Sequence, residues 1–124
     1  MTTVVAGVIE RGERILIAQR KPDGAHPLKW EFPGGKVERD ETPEAALVRE
    51  LQEELAIQAA IDAEITRYEF RYPEAAAPIL LIFYRVLHFE GEPQNLNFER
   101  IEWVPKDRLQ DFDFLEGDTD FLKI

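Results

Sequence analysis

GKVERDETPEAALVRELQEELAI, residues 35–57, is the stretch on which the reading of this chain turns. Its second half has helical spacing. Successive residues on an α-helix are rotated by about 100°, so Glu50, Glu53 and Glu54 fall within roughly one third of the circumference. Leu47, Val48, Leu51 and Leu55 form an apolar stripe on the opposite side. The spacing predicts a helix over 43–55, with Thr42 as N-cap, Pro43 in the first turn and Glu44 near the positive end of the helix dipole. One face packs on a sheet and the other presents carboxylates. Three like charges on one arc persist in a folded protein either because the face is fully solvated or because a cation fills it. Hard oxygen donors in this number suit Mg²⁺ or Mn²⁺. Arg49 lies between the two arcs, within one turn of Glu53.

Most charged helix runs are ordinary solvated faces. Here the approach to the helix raises the functional reading. EFPGGKVERDE puts Pro33, Gly34 and Gly35 just after an apolar segment, with a loop onward to Glu41. Paired glycines leave bare backbone that can approach a ligand closely. A loop bringing backbone carbonyls to a glutamate-lined helix suits a metal and phosphate site.

Outward from this stretch, the chain reads as mixed α and β structure. Residues 4–9 and 14–19 read as strands joined by a turn at Arg11 and Gly12. Residues 21–29, with Pro22, Gly24 and Pro27, read as a loop, and 29–32 as a short strand. One or two strands are expected over 58–72, where Tyr68, Phe70 and Tyr72 alternate as a core face. A single long apolar strand is expected over 78–89, then a turn-rich loop over 90–97 and a strand over 101–104. Short helices are expected over 105–112 and 119–124. No repeat or linker interrupts the chain, so 1–124 reads as one domain.

Composition agrees. Apolar residues at 44% and charged residues at 32% describe a globular chain rather than a disordered one. There is no cysteine, hence no disulfide framework and no thiolate site. The first residues lack the layout of a signal peptide, and no apolar run reaches membrane-spanning length, so a cytoplasmic protein with no membrane partner is expected. The formal net charge of −10 argues against nucleic acid as a partner, because a nucleic-acid-binding surface needs to be basic.

The combination Gly35, Glu41, Arg49-Glu50-Leu51, Glu53-Glu54 and Ala56-Ile57 resembles the signature box of the Nudix hydrolases. It departs from that box at Ala56, where glycine is usual; alanine there is expected to extend or distort the last helical turn. The resemblance implies the Nudix fold, an α+β (α/β) sandwich with a mixed β-sheet packed between helices. It also implies metal-dependent hydrolysis of a phosphoanhydride. Glu50, Glu53, Glu54 and the Gly34 carbonyl are then the implied ligands of Mg²⁺ or Mn²⁺, with Glu50 the favoured base and Arg49 orienting the glutamates. Glu41 is implied to be structural. A further carboxylate often joins this site in the family; the matching position here is Asn97, with Glu99 two residues on as its substitute.

The likeness extends beyond the box. ILIAQRK, LKWEFPGGKVE, EGEP and EWVP are similar to the MutT-type branch, which hydrolyses nucleoside triphosphates to a monophosphate and pyrophosphate. It implies a nucleoside triphosphate substrate, with 8-oxo-dGTP or a related damaged purine first and CTP or modified dCTP close behind. An ADP-ribose-type hydrolase and a catalytically quiet nucleotide-binding domain are the alternatives. A cation would offset the repulsion between this acidic chain and a polyphosphate. Arg20 and Phe32 match nucleotide-holding positions; Phe32 is either a face for the base or a core residue. Lys36 is a phosphate contact or a solvated lysine. FLEGDTDFL resembles the tail that sets an Asn or Asp against the base, which points to Asp118, with Glu116 behind it. Trp30 and Trp103 read as packing residues and His26 as a surface residue near the pocket mouth. The chain is expected to be a monomer or homodimer.

Overall fold

The computed structural model describes residues 1–124. β1 (Thr2–Arg11) turns at Gly12, whose φ of 62° suits glycine, into β2 (Arg14–Gln19). The two strands pair only near the turn, from Ile9↔Leu16 to Arg11↔Arg14. Beyond that they splay, and the segment after the 21–29 loop fills the gap. β3 (Trp30–Glu31) pairs with β2, and β4 (Gly34–Lys36) pairs with β1. From the sequence, 34–36 is expected in a loop. It is a strand because the backbone there lies hard against β1: a Cβ on Gly34 would sit 1.9 Å from the Val5 carbonyl oxygen. Only a bare backbone makes that approach.

α1 (Pro43–Leu55) has the predicted bounds. Thr42 caps it, its Oγ1 accepting from the Ala45 N–H at 3.1 Å. The helix ends cleanly. Ala56 takes the left-handed conformation (φ 57°, ψ 34°) and its N–H donates to the Gln52 carbonyl. Alanine therefore neither extends nor distorts the last turn; it adopts the glycine geometry at a cost of about 1–2 kcal/mol.

Next come β5 (Gln58–Ala60), β6 (Glu64–Phe70) and β7 (Ile79–Val86). β7 runs parallel to β1 over eight paired residues, from Thr2↔Ile79 to Ile9↔Val86, and antiparallel to β6. The expected single strand over 78–89 is broken at Leu87. That N–H leaves the ladder to meet the Asp62 carboxylate at 3.0 Å, and β8 (His88–Glu90) joins β5 in a separate small sheet. β9 (Arg100–Pro105) closes the other edge on β2. The C-terminal helices are shorter than expected: a 3₁₀ turn over Lys106–Asp111, α2 (Glu116–Thr119) and a last 3₁₀ turn over Phe121–Lys123.

Alternation along the strands gives the main sheet two apolar faces. Val5, Ile9, Leu16 and Ile82 pack on Leu47, Leu51 and Leu55 of α1. Ala6, Val8, Ile17 and Phe83 pack on Trp30, Phe32, Leu109 and Phe114 beneath the C-terminal turns. This is a mixed sheet between helical layers.

Candidate active site

The splay between β1 and β2 opens a cavity of about 560 Å³. Val4–Ala6 of β1, the 21–26 part of the first loop, and residues of α1 and α2 line it; Glu54 of α1 meets the Gly34 N–H and Asp118 of α2 the Phe32 N–H. Glu50, Glu54, Gly34, Lys36, Arg20, Phe32 and Asp118 all line it.

At the α1 end, Arg49 organises the carboxylates. It donates twice to Glu41, Nε to Oε2 at 2.7 Å and Nη2 to Oε1 at 3.0 Å, and its Nη1 donates to Glu50 Oε1 at 2.8 Å. Nη2 also reaches the Lys36 carbonyl at 3.1 Å. The fork geometry of guanidinium permits this simultaneous grip. Hydrogen bonds from Arg49 and from the Glu38 N–H hold Glu41 well down, at about 2. Glu41 thus ties the loop to the helix through Arg49. Gly35 makes room for Glu50: a Cβ there would lie 2.5 Å from the Glu50 Cδ.

Glu54 is under more stress. Burial first, and then repulsion from Glu50, Glu31 and Glu53, push its carboxyl up to about 8. Its two oxygens accept only neutral donors, the Gly34 N–H and the Asn97 Nδ2, each at 3.3 Å. Burial also raises Glu50, against the pull of Arg49. This donor set suits a hard divalent cation: it offers only oxygens, and more negative charge than nearby side chains neutralise. It is not a ready three-carboxylate cage. Glu53 is 59% exposed, turned to within 3.5 Å of Arg49 rather than into the cavity. Glu99 does not line the cavity either; its N–H is tied to the Gln19 carbonyl. Asn97 holds the nearby place, because its loop docks on the helix end: Gln94 and Leu96 N–H groups donate to the Leu55 and Glu54 carbonyls.

At the α2 end, Arg20 is pinned by the Ala25 carbonyl at 2.9 Å and by Glu31 at 3.2 Å. Asp118 is 6% exposed and accepts from the Phe32 N–H at 3.2 Å. Burial, with a smaller push from Glu31, raises its carboxyl to about 7. The Phe32 ring resolves to its core alternative. It is 3% exposed and packed among Phe83, Phe114 and Phe121. Its backbone, not its ring, serves the polar end of the cavity.

Two lining residues, Glu31 and Tyr72, are not expected at the site from the sequence; a third, His26, lies at the cavity as its expected place near the pocket mouth implies. Glu31 is a carboxylate inside an apolar strand, raised by burial and paired with Arg20. That placement, an acid between Trp30 and Phe32, was a usable signal. Tyr72 lines the cavity instead of completing a core face, because the chain leaves β6 at Phe70. His26 is not simply on the surface: its ring lies 4.9 Å from that of Tyr72, and its Nε2 is 3.4 Å from Glu74.

The carboxylate helix and the glycine strand beside it stand at one end of the cavity, and the comparisons give the family. The chain belongs to the Nudix family: the NUDIX domain matches residues 1–123. It is a Nudix hydrolase, of a family generally dependent on divalent metal. It is 39% identical over 112 residues to a CTP pyrophosphohydrolase of Escherichia coli, covering 89% of this chain and 81% of that protein. It is 38% identical over 112 residues to an 8-oxo-dGTP diphosphatase of the same organism, covering 90% and 85%. The crystal structure of a MutT Nudix hydrolase from Burkholderia pseudomallei superposes with a TM-score of 0.88 at 26% identity, covering 98% of this chain and 95% of that one. No helix is long and apolar enough to cross a membrane.

Proposed function

We propose that residues 1–124 act as one unit that hydrolyses nucleoside triphosphates to a monophosphate and pyrophosphate, clearing 8-oxo-dGTP or a related damaged purine nucleotide. The observation that carries this is the two-ended cavity. Charge-stressed carboxylates, Glu50 and Glu54, stand at one end, and a buried polar reader, Asp118, stands at the other. CTP or a modified dCTP is the second reading, favoured by the similarity to a CTP pyrophosphohydrolase.

Glu50, Glu54 and the Gly34 carbonyl would hold Mg²⁺ or Mn²⁺, with Glu53 swinging from Arg49 to join them. Bound there, the ion would neutralise phosphate charge and acidify water. Glu50 takes the proton of the attacking water, and Arg49 keeps its carboxylate aimed. Lys36 meets phosphate oxygens. Arg20 donates to the nucleotide. Asp118 meets the base edge, accepting a hydrogen bond when ionised and donating one when protonated.

The test is a Mg²⁺-dependent hydrolysis panel of 8-oxo-dGTP, dGTP, CTP, modified dCTP and ADP-ribose, with products identified. Release of pyrophosphate, fastest from an oxidised purine, is expected. Preference for ADP-ribose, or release of inorganic phosphate alone, would defeat the reading.

A further inference from the structure

Asp118 sits on a helix of four residues, Glu116–Thr119. A single turn does not hold itself in place; isolated helices this short are unstable. The turn needs external ties, and two of them are tyrosine hydroxyls. Tyr68 Oη donates to the Gly117 carbonyl at 2.6 Å. The Gly117 N–H donates to Tyr72 Oη at 3.2 Å. Both polar backbone groups of the residue before Asp118 are therefore tied, one to β6 through Tyr68 and one to the segment just after it through Tyr72. A first-turn N–H of a helix has no partner within the helix, so the Tyr72 oxygen supplies one that would otherwise be missing.

The rings carrying these hydroxyls are fixed by packing. Tyr68 stacks on Phe83 at 5.6 Å, and Tyr72 lies edge-on to Phe70 at 4.8 Å. Gly117 is fitted to the arrangement, since a Cβ there would meet Tyr72 Oη at 2.6 Å. Phenylalanine would fill either ring position equally well. The hydroxyls therefore serve the tie and not the filling of the core.

We propose that Tyr68 and Tyr72 are positioning residues for substrate discrimination, holding Asp118 in register with the base through the backbone of Gly117. This rests on the reading that Asp118 meets the base. The tie acts along a short path. The Gly117 carbonyl and N–H flank its Cα, and Asp118 follows directly. On its far side the Asp118 carboxylate is aligned by the Phe32 N–H. Loss of the ties lets the carboxylate drift while leaving the phosphate end of the cavity untouched.

The experiment measures kcat and KM for 8-oxo-dGTP, dGTP and CTP. The proteins are the intact chain, Tyr68→Phe, Tyr72→Phe, the double variant, Asp118→Ala, and Asp118→Ala combined with the double variant. Amide exchange at residues 116–119 is followed alongside. Each lost hydroxyl is expected to shrink the ratio of kcat/KM between preferred and rejected substrates by about two- to tenfold, the range of one hydrogen bond. The loss falls on KM, the 116–119 amides exchange faster, and the tyrosine changes have no further effect once Asp118 is alanine. A ratio moved by Asp118→Ala but unmoved by the double variant overturns the inference alone. A ratio moved by neither overturns the role of Asp118 and the inference with it. Additive effects of the tyrosines and Asp118 overturn it too, since they would then act by separate routes.

Discussion

At the carboxylate end of the cavity, Glu41, Arg49, Glu50 and Glu54 come from one continuous run, 41–54, laid out by a single helix and its entry loop. At the other end, Arg20, Glu31, Tyr72 and Asp118 come from four separate segments joined by hydrogen bonds across the sheet. The carboxylate end is rich in uncompensated charge; at the far end Glu31 is paired with Arg20, and the buried Asp118 is capped by a backbone N–H and tied through its neighbour. With the roles proposed above, the difference makes chemistry and discrimination separable, which the following measurements test. One end can be disabled by a single charge; the other is tuned by many small ties.

The largest effect that separates the two ends is expected from Glu54→Gln. It should lower kcat/KM by about 10²–10³ for every substrate alike, as losing a charge-stabilising group does. It should not lower the melting temperature of metal-free protein, because it removes repulsion from Glu50, Glu31 and Glu53. Selective loss on one base, or a marked drop in melting temperature, would break the separation. Metal gives the companion measurement. Millimolar Mn²⁺ should raise the wild-type melting temperature by mass action and raise that of Glu54→Gln much less.

Arg49→Lys comes next. A lysine cannot hold Glu41, Glu50 and the Lys36 carbonyl at once. Activity should fall about ten- to hundredfold, the usual cost of losing a group that orients metal ligands, with Mn²⁺ affinity falling in parallel by titration calorimetry. Unchanged affinity would mean that Arg49 serves the fold alone.

Asp118→Asn sharpens the other end. The substrate ranking should shift by about one to two powers of ten while hydrolysis continues. A pH signature accompanies it. The Asp118 carboxyl is raised from 3.8 to about 7 in the folded protein, so folding favours its protonated form. That contribution is complete at low pH and is lost as pH rises toward 7. The melting-temperature advantage of Asp118→Asn over wild type should therefore grow from about pH 4 to about pH 7 and level off above. A flat difference would show that the carboxyl is not stressed.

The smallest effect on discrimination is expected from Phe32→Leu. Its ring is core, so stability should fall by about 1 kcal/mol while the ranking of bases stays unchanged. An altered ranking would return Phe32 to the base.

The same contrast explains what the sequence made legible. The helix bounds, its cap, its buried stripe and the nearness of Arg49 to Glu53 follow from residues near one another in the chain, and periodicity reports them. The strand at 34–36 and the break at Leu87 do not, because each is imposed by a distant partner: Val5 for Gly34, Asp62 for Leu87. The left-handed Ala56 closes on Gln52 of its own helix, a geometry that alanine does not advertise in sequence. Asp118 was found through resemblance. Tyr72, which reads as core, and Glu31 belong to the far end; the only local mark there is the acid set between Trp30 and Phe32.

The parallel pairing of β1 with β7 carries a consequence for the order of assembly. β1 can gather β2 and β4 from the nearby chain, but its other edge waits for residues 79–86. Contacts so far apart in sequence form late and slowly. A nascent chain that has emerged only through α1 holds every residue of the carboxylate motif. It still lacks the strand that closes the sheet beneath the helix, the Asn97 loop that docks on its last turn, and Asp118. The acidic motif is made early, but the finished site waits for residues 79–118.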